Sequence, residues 1–133
     1  MIPEMQYHHV GVACDNIDAT AEHYVQMGYK KHETIVDPLQ NIKICFLSSP
    51  TNPMIELLAP IDDNSPVVQI LAKNGTTPYH ICYTVPDIKD AIKQLKRQRY
   101  ILFSSAKPAC ALDNKEVAFL FHKDVGLIEL LQQ

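Results

Sequence analysis

Two stretches of the chain carry apolar residues at helical spacing, and each is set among short runs in which apolar and polar residues alternate at every second position. In the first half, residues 7–14 read as a strand. Asn16 is placed to cap a helix with Ile17, Ala21, Tyr24 and Met27 on one face, and Gly28 stops it. Strands are predicted at 30–36, 42–47 and 54–59, punctuated by Asp37-Pro38, Ser48-Ser49-Pro50 and Pro60. The second half repeats the plan. A strand at 79–85 leads to a helix capped by Asp87, with Ile88, Ala91, Ile92 and Leu95 at i, i+3, i+4 and i+7. Further strands are predicted at 100–103, 117–121 and 127–131, and residues 61–78 form a linker with a short helix at 67–73.

The two halves share more than a rhythm. Ile-Glu-Leu-Leu occurs at Ile55-Glu56-Leu57-Leu58 and again at Ile128-Glu129-Leu130-Leu131; Glu56 follows His9 by 47 positions and Glu129 follows His80 by 49. Asn16-Ile17 and Asp87-Ile88 stand at one offset from their His, and Phe46-Leu47 and Phe119-Leu120 each lie ten positions before their Glu. Four landmarks in one order identify an internal duplication. The fold class expected is α+β, with two β-α-β-β-β modules in tandem: module one at about 1–60 and module two at about 79–133 of a single domain.

Strand parity selects which side chains share a face. Val10, Val12 and Cys14 alternate with His9, Gly11 and Ala13, so the bulky set is assigned to the helix-covered side and His9 to the other, beside small residues that leave room for a ligand. The same reading assigns Ile81, Tyr83 and Val85 to the core and His80, Cys82 and Thr84 to the opposite face. Glu56 and Glu129 lie opposite their flanking Ile and Leu. A Glu within an apolar strand is costly unless paired or ligated. Two His and two Glu at matched repeat positions form a donor set suited to a first-row divalent ion, and His9, Glu56, His80 and Glu129 are the candidate metal ligands. His8 has the wrong parity, His23 lies on the predicted helix, His32 has no repeat counterpart, and His122 follows a strand at a pocket mouth or in solvent.

Composition narrows the function classes. With 133 residues, a net charge of −3 and no block of like charges, the chain has no electrostatic footprint for nucleic acid or an anionic membrane. It has no apolar run of spanning length, and the start Met-Ile-Pro-Glu lacks a signal-peptide pattern, so a cytoplasmic location is expected. Cys14, Cys45, Cys82 and Cys110 are widely spaced without a C-x-x-C, which fits small buried hydrophobes rather than a zinc finger or a disulfide framework.

The motifs His9-Val10-Gly11-Val12-Ala13, Ile55-Glu56-Leu57-Leu58-Ala59-Pro60, Tyr79-His80-Ile81-Cys82-Tyr83 with Val85-Pro86-Asp87-Ile88, and Phe119-Leu120 through Gly126-Leu127-Ile128-Glu129-Leu130 resemble the vicinal oxygen chelate superfamily over essentially the whole chain. That superfamily includes glyoxalase I, methylmalonyl-CoA epimerase, extradiol dioxygenases and resistance proteins. The resemblance implies a cupped sheet around one divalent ion (Ni, Co, Mn or Zn) with ligands at His9, Glu56, His80 and Glu129, and Glu129, then Glu56, as the catalytic base. The linker and the ending look most like the epimerases, which implies proton abstraction α to a carbonyl or acyl-thioester substrate in a homodimer. Glyoxalase I-like (lactoylglutathione lyase) activity and non-catalytic small-molecule binding are the alternatives. Two departures stand out. His122-Lys123-Asp124-Val125-Gly126 replaces the epimerases' His-Pro-Lys turn, and Lys43 and Ile44 occupy the strand on which some epimerases carry a second catalytic carboxylate. The resemblance therefore implies slow inversion beside a persistent one-base proton exchange.

Overall fold

The computed structural model describes residues 4–133. The chain divides into two compact units, His9–Tyr79 and His80–Gln133 with the described residues before His9. The first holds β1 (Gln6–Ala13) from His9 onward, α1 (Ile17–Gln26), β2 (Lys30–Lys31), β3 (Ile35–Asp37), β4 (Ile42–Ser48), β5 (Ile55–Pro60) and α2 (Val67–Asn74). Its strands run in the order β2-β4-β5-β1, with β3 also on β4. β1 is parallel to β5, and every β4 pairing is antiparallel. The second unit holds β6 (Thr77–Val85) from His80 onward, α3 (Ile88–Arg97), β7 (Ile101–Ala109), a single 3-10 turn (Cys110–Leu112), β8 (Lys115–His122) and β9 (Gly126–Gln132). Its order is β6-β9-β8-β7, with β6 parallel to β9 and the rest antiparallel. The α+β class and the duplicated β-α-β-β-β plan are as expected.

The helices begin where the sequence places them, because each has an acceptor for its otherwise unpaired first-turn N–H groups. The Asn16 Oδ1 accepts from the Ala19 N–H at 3.0 Å, and the Asp87 Oδ1 accepts from the Asp90 N–H at 3.1 Å. They also end alike. The Tyr29 N–H reaches back to the Tyr24 carbonyl at 3.0 Å and the Tyr100 N–H to that of Leu95 at 3.1 Å. The residue before each Tyr has a positive φ: Gly28 at 102°, and Arg99, a non-glycine, at 72°. Beneath α1, Val12, Cys14, Leu57, Ala59, Cys45 and Leu47 form one core with Ile17 and Ala21; beneath α3, Val85, Ala118, Leu120, Ile128 and Leu130 form the other with Ile88, Ala91 and Leu95. These are the faces that parity assigned to the interior.

Three local expectations are corrected. The single strand expected at 30–36 is broken into β2 and β3, because four steps from Lys31 to Ile35 oppose three from Leu47 to Ile44, a one-residue bulge that keeps Ile35 against Ile44. β7 runs on to Ala109 rather than ending at Phe103. Its segment Ser104-Ser105-Ala106-Lys107-Pro108 lacks apolar alternation, carries two register shifts and tolerates Pro108 because β7 pairs only with β8. Ile81, expected in the core, is 38% exposed, since the cluster built on α3 reaches Val85 and Tyr83 and stops there. Among the described residues no helix is long and apolar enough to cross a membrane.

Candidate active site

Each unit presents one buried imidazole–carboxylate pair on the face opposite its helix. His9 leaves β1 and Glu56 leaves β5; Gly11, two residues after His9, is the register partner of Glu56. The His9 Nε2 lies 3.2 Å from the Glu56 Oε1, and both side chains are buried. The second unit reproduces this. Cys82, two residues after His80, is the register partner of Glu129, and the His80 Nε2 lies 3.2 Å from the Glu129 Oε1, again buried.

The third strand completes both arrangements with an aromatic ring. Phe46 on β4 is the cross-strand partner of Glu56, and Phe119 on β8 is that of Glu129. The His9 and Phe46 rings meet edge to face at 5.6 Å and 79°, and the His80 and Phe119 rings at 5.2 Å and 85°. These contacts fix the plane of each imidazole and shield its carboxylate from water. The duplicated Phe is legible in the sequence as a landmark ten positions before the Glu; its role beside the His emerges only from the register. On the Glu129 face the floor is apolar, with Cys82, Ala109, Val117 and Leu131 packed together.

The chemistry of the donors fits a divalent ion. Two ligand atoms each about 2.1 Å from one ion stand roughly 3.0 Å apart at an octahedral angle and about 3.4 Å at a tetrahedral one; both observed separations of 3.2 Å lie between. Burying a carboxylate against an imidazole is also costly unless further positive charge is supplied. The other histidines are placed elsewhere. His8 is half-buried at a position of opposite parity and His23 is exposed on α1. The His122 ring packs on Tyr100 at 4.9 Å, and its Nδ1 accepts from the Asp124 N–H at 3.0 Å, closing the β8–β9 turn. His32, expected at the surface or in a capping role, is exposed, and its Nε2 is 2.6 Å from the Ser48 Oγ. Of the two residues standing where some epimerases carry a carboxylate, Ile44 has the parity of Phe46 and is buried on the Glu56 face, whereas Lys43 is on the other face, lining a cavity of about 410 Å³ with Asp15 and Asp18.

Cys14, Cys45 and Cys110 take no part in this arrangement, and Cys110 is exposed rather than buried as expected. Burial raises the Cys14 thiol to about 11, and burial likewise raises that of Cys45. Both are packing residues.

A duplicated β-α-β-β-β fold with paired His and Glu on its inner strands defines a class, and the comparisons agree: the chain belongs to the glyoxalase/bleomycin resistance protein/dioxygenase superfamily, whose family model matches residues 8–119. Within it, the chain is 34% identical over 128 residues to the ethylmalonyl-CoA/methylmalonyl-CoA epimerase of Cereibacter sphaeroides, covering 93% of this chain and 95% of that protein. The crystal structure of methylmalonyl-CoA epimerase from Mycobacterium tuberculosis superposes with a TM-score of 0.83 at 27% identity, covering 95% of this chain and 86% of that one. A methylmalonyl-CoA epimerase in complex with methylmalonyl-CoA and ammonium gives 0.82 at 26% identity, with 97% and 94% covered. The chain is thus a homologue of methylmalonyl-CoA epimerases and an enzyme of the isomerase type.

Proposed function

We propose that this protein is a divalent-metal-dependent epimerase acting α to the carbonyl of an acyl-CoA thioester, with His9, Glu56, His80 and Glu129 as ligands of one ion and Glu129 as the base. The observation that carries the reading is the repetition, in each half, of a buried imidazole–carboxylate pair at one separation beside one aromatic ring. Nickel, cobalt, manganese or zinc would suit such donors, and a bound ion would polarise the substrate carbonyl and stabilise the enolate left by proton loss.

The remaining steps belong to the chain. Glu129 takes the α-proton, since a carboxylate over an apolar floor meets no competing water. Glu56 is the second candidate for that role. Phe46 and Phe119 hold the imidazoles in place while a carboxylate moves. Assembly as a homodimer is part of the same reading. It is supported by Ile101 and Phe103, 64% and 74% exposed on β7, and light scattering on the purified protein tests it.

The deciding experiment loads the protein with each metal in turn and follows solvent deuterium into the α-carbon of methylmalonyl-CoA, beside an assay with methylglyoxal and glutathione. Exchange into the thioester is expected. Turnover of the glutathione adduct alone would move the protein to the glyoxalase type, and activity on neither would remove the enzymatic reading.

A further inference from the structure

The second repeat ends with a side chain that the first one lacks. Gln132, three residues after Glu129, is the register partner of Val85 at the end of β6. Its Oε1 accepts from the Ile88 N–H at 2.8 Å and its Nε2 donates to the Pro86 carbonyl at 2.6 Å, so one carboxamide occupies the start of α3. Ile88 opens α3, and its N–H is one of the first-turn donors that a helix cannot satisfy from within. The Asp87 carboxylate serves a different donor, the Asp90 N–H. In the first repeat the residue three after Glu56 is Ala59. The Cys14 N–H donates to the Leu58 carbonyl at 2.9 Å, so the parallel register runs on and Ala59 faces Cys14 as Gln132 faces Val85. Ile17 opens α1, and the Asn16 Oδ1 is engaged with the Ala19 N–H. A methyl group has no polar atom to offer the Ile17 N–H or the Asp15 carbonyl, the counterparts of the two groups that Gln132 holds. Above it lies the cavity of about 410 Å³, lined by Ala59, Asp15, Ile17, Thr34 and Lys43. Ala59 belongs to the core beneath α1, so this cavity is on the side of the sheet away from Glu56.

We propose that this cavity is a binding site for a small carboxamide, seated in the first repeat as Gln132 is seated in the second. The ligand oxygen accepts from the Ile17 N–H, and the ligand NH₂ donates to the Asp15 carbonyl. Both groups are needed. A carboxylate has no hydrogen for the carbonyl, and an ammonium has no lone pair for the N–H, so each ion forfeits one of the two bonds. Charge points the same way. Asp15 and Asp18 line the cavity with Lys43, and Lys31 lies 3.5 Å from Asp18, so two ammonium groups balance two carboxylates and no net field recruits an ion. Ala59 is the residue that opens the site, because a longer polar side chain there would take the ligand's place, as Gln132 does in the second repeat.

The probe is propionamide, the glutamine side chain without its backbone, titrated into the full chain labelled with nitrogen-15 while the backbone amide resonances are followed. The Ile17 resonance is expected to move and saturate. Its affinity for propionamide should exceed that for propionate or propylamine by about tenfold, since each ion loses one hydrogen bond. The Ile88 resonance is the internal control and should stay in place, its acceptor being Gln132 already. Ala59→Gln supplies the first repeat with the group found in the second. Its Ile17 resonance should start near the position that saturating propionamide gives in the parent, and should no longer respond. An Ile17 resonance that propionamide leaves unmoved in the parent, or that propionate moves as readily, overturns the proposal, and so does a response that persists in Ala59→Gln. If Ala59→Gln does not fold, the comparison of the three probes on the parent decides alone.

Discussion

Replacing His9 with Ala tests the proposed metal site, because its neighbour His8 supplies a control on the same strand. In the parent, an ion present at about 1,000 times its dissociation constant stabilises the fold by about 4 kcal/mol through mass action. Unfolding entropy near 2.1 cal/mol/K per residue gives about 0.28 kcal/mol per degree for 133 residues. Metal should therefore raise the Tm by about 15 °C. Losing a ligand weakens binding by at least about 100-fold, which at the same ion concentration leaves about 5 °C or less. His9→Ala also leaves Glu56 buried without the imidazole 3.2 Å away, so the metal-free variant should be less stable than the metal-free parent by about 3 kcal/mol, near 10 °C. His8→Ala should keep the full metal-dependent rise. The assay is thermal unfolding of chelator-stripped protein titrated with cobalt, nickel, manganese and zinc, with metal content measured after desalting. A rise undiminished in His9→Ala, or lost in His8→Ala, would refute the parity argument.

Glu129→Gln should abolish turnover more completely than substrate binding, since the amide remains near the metal but cannot accept a proton, and Glu56→Gln should be milder; equal rates for Glu129→Gln and the parent would take Glu129 out of the base role. Arg99→Gly should stabilise the protein by about 1 kcal/mol, because Arg99 sits at φ 72° where the first repeat has Gly28; a lower denaturation midpoint would contradict this. Burial pushes the Cys14 thiol from its ordinary 9.0 up to about 11 and so favours the neutral form in the fold. Its stabilisation is full below about pH 9 and lost as pH rises toward 11, a decline that urea melts should find reduced in Cys14→Ala. In thiol titration near pH 8, exposed Cys110 should react before buried Cys14 and Cys45.

What the sequence made legible is what the duplication wrote twice. Asn16 and Asp87 cap their helices, Val12 and Leu57 bury against α1, and His9, Glu56, His80 and Glu129 lie on the faces that parity assigned. Period-2 patterning reports faces reliably when one of them is buried. It was silent where one half departs from the other or where cross-strand register decides. The bulge after Lys31 depends on how β4 counts against it, and the extension of β7 past Phe103 rests on hydrogen bonding to β8 without alternation of its own. Ile81 misled because its parity is right while α3 does not reach it. His32 had no repeat counterpart and so carried no sequence signal; only its pairing with Phe46 places it on the Glu56 side.

That asymmetry bears on how a duplicated fold acquires a directional reaction. The two repeats agree in imidazole, carboxylate and aromatic ring down to the separations, so on that ground neither half is distinguished as the one that removes the proton. They part on the strand beyond. Phe46 has His32 as its neighbour, whereas Phe119 has Ser104, with no imidazole across from it. A ligand set can remain symmetric because an ion asks the same of each donor, but inversion needs unlike groups on the two faces of one carbon, one to accept a proton and one to give it.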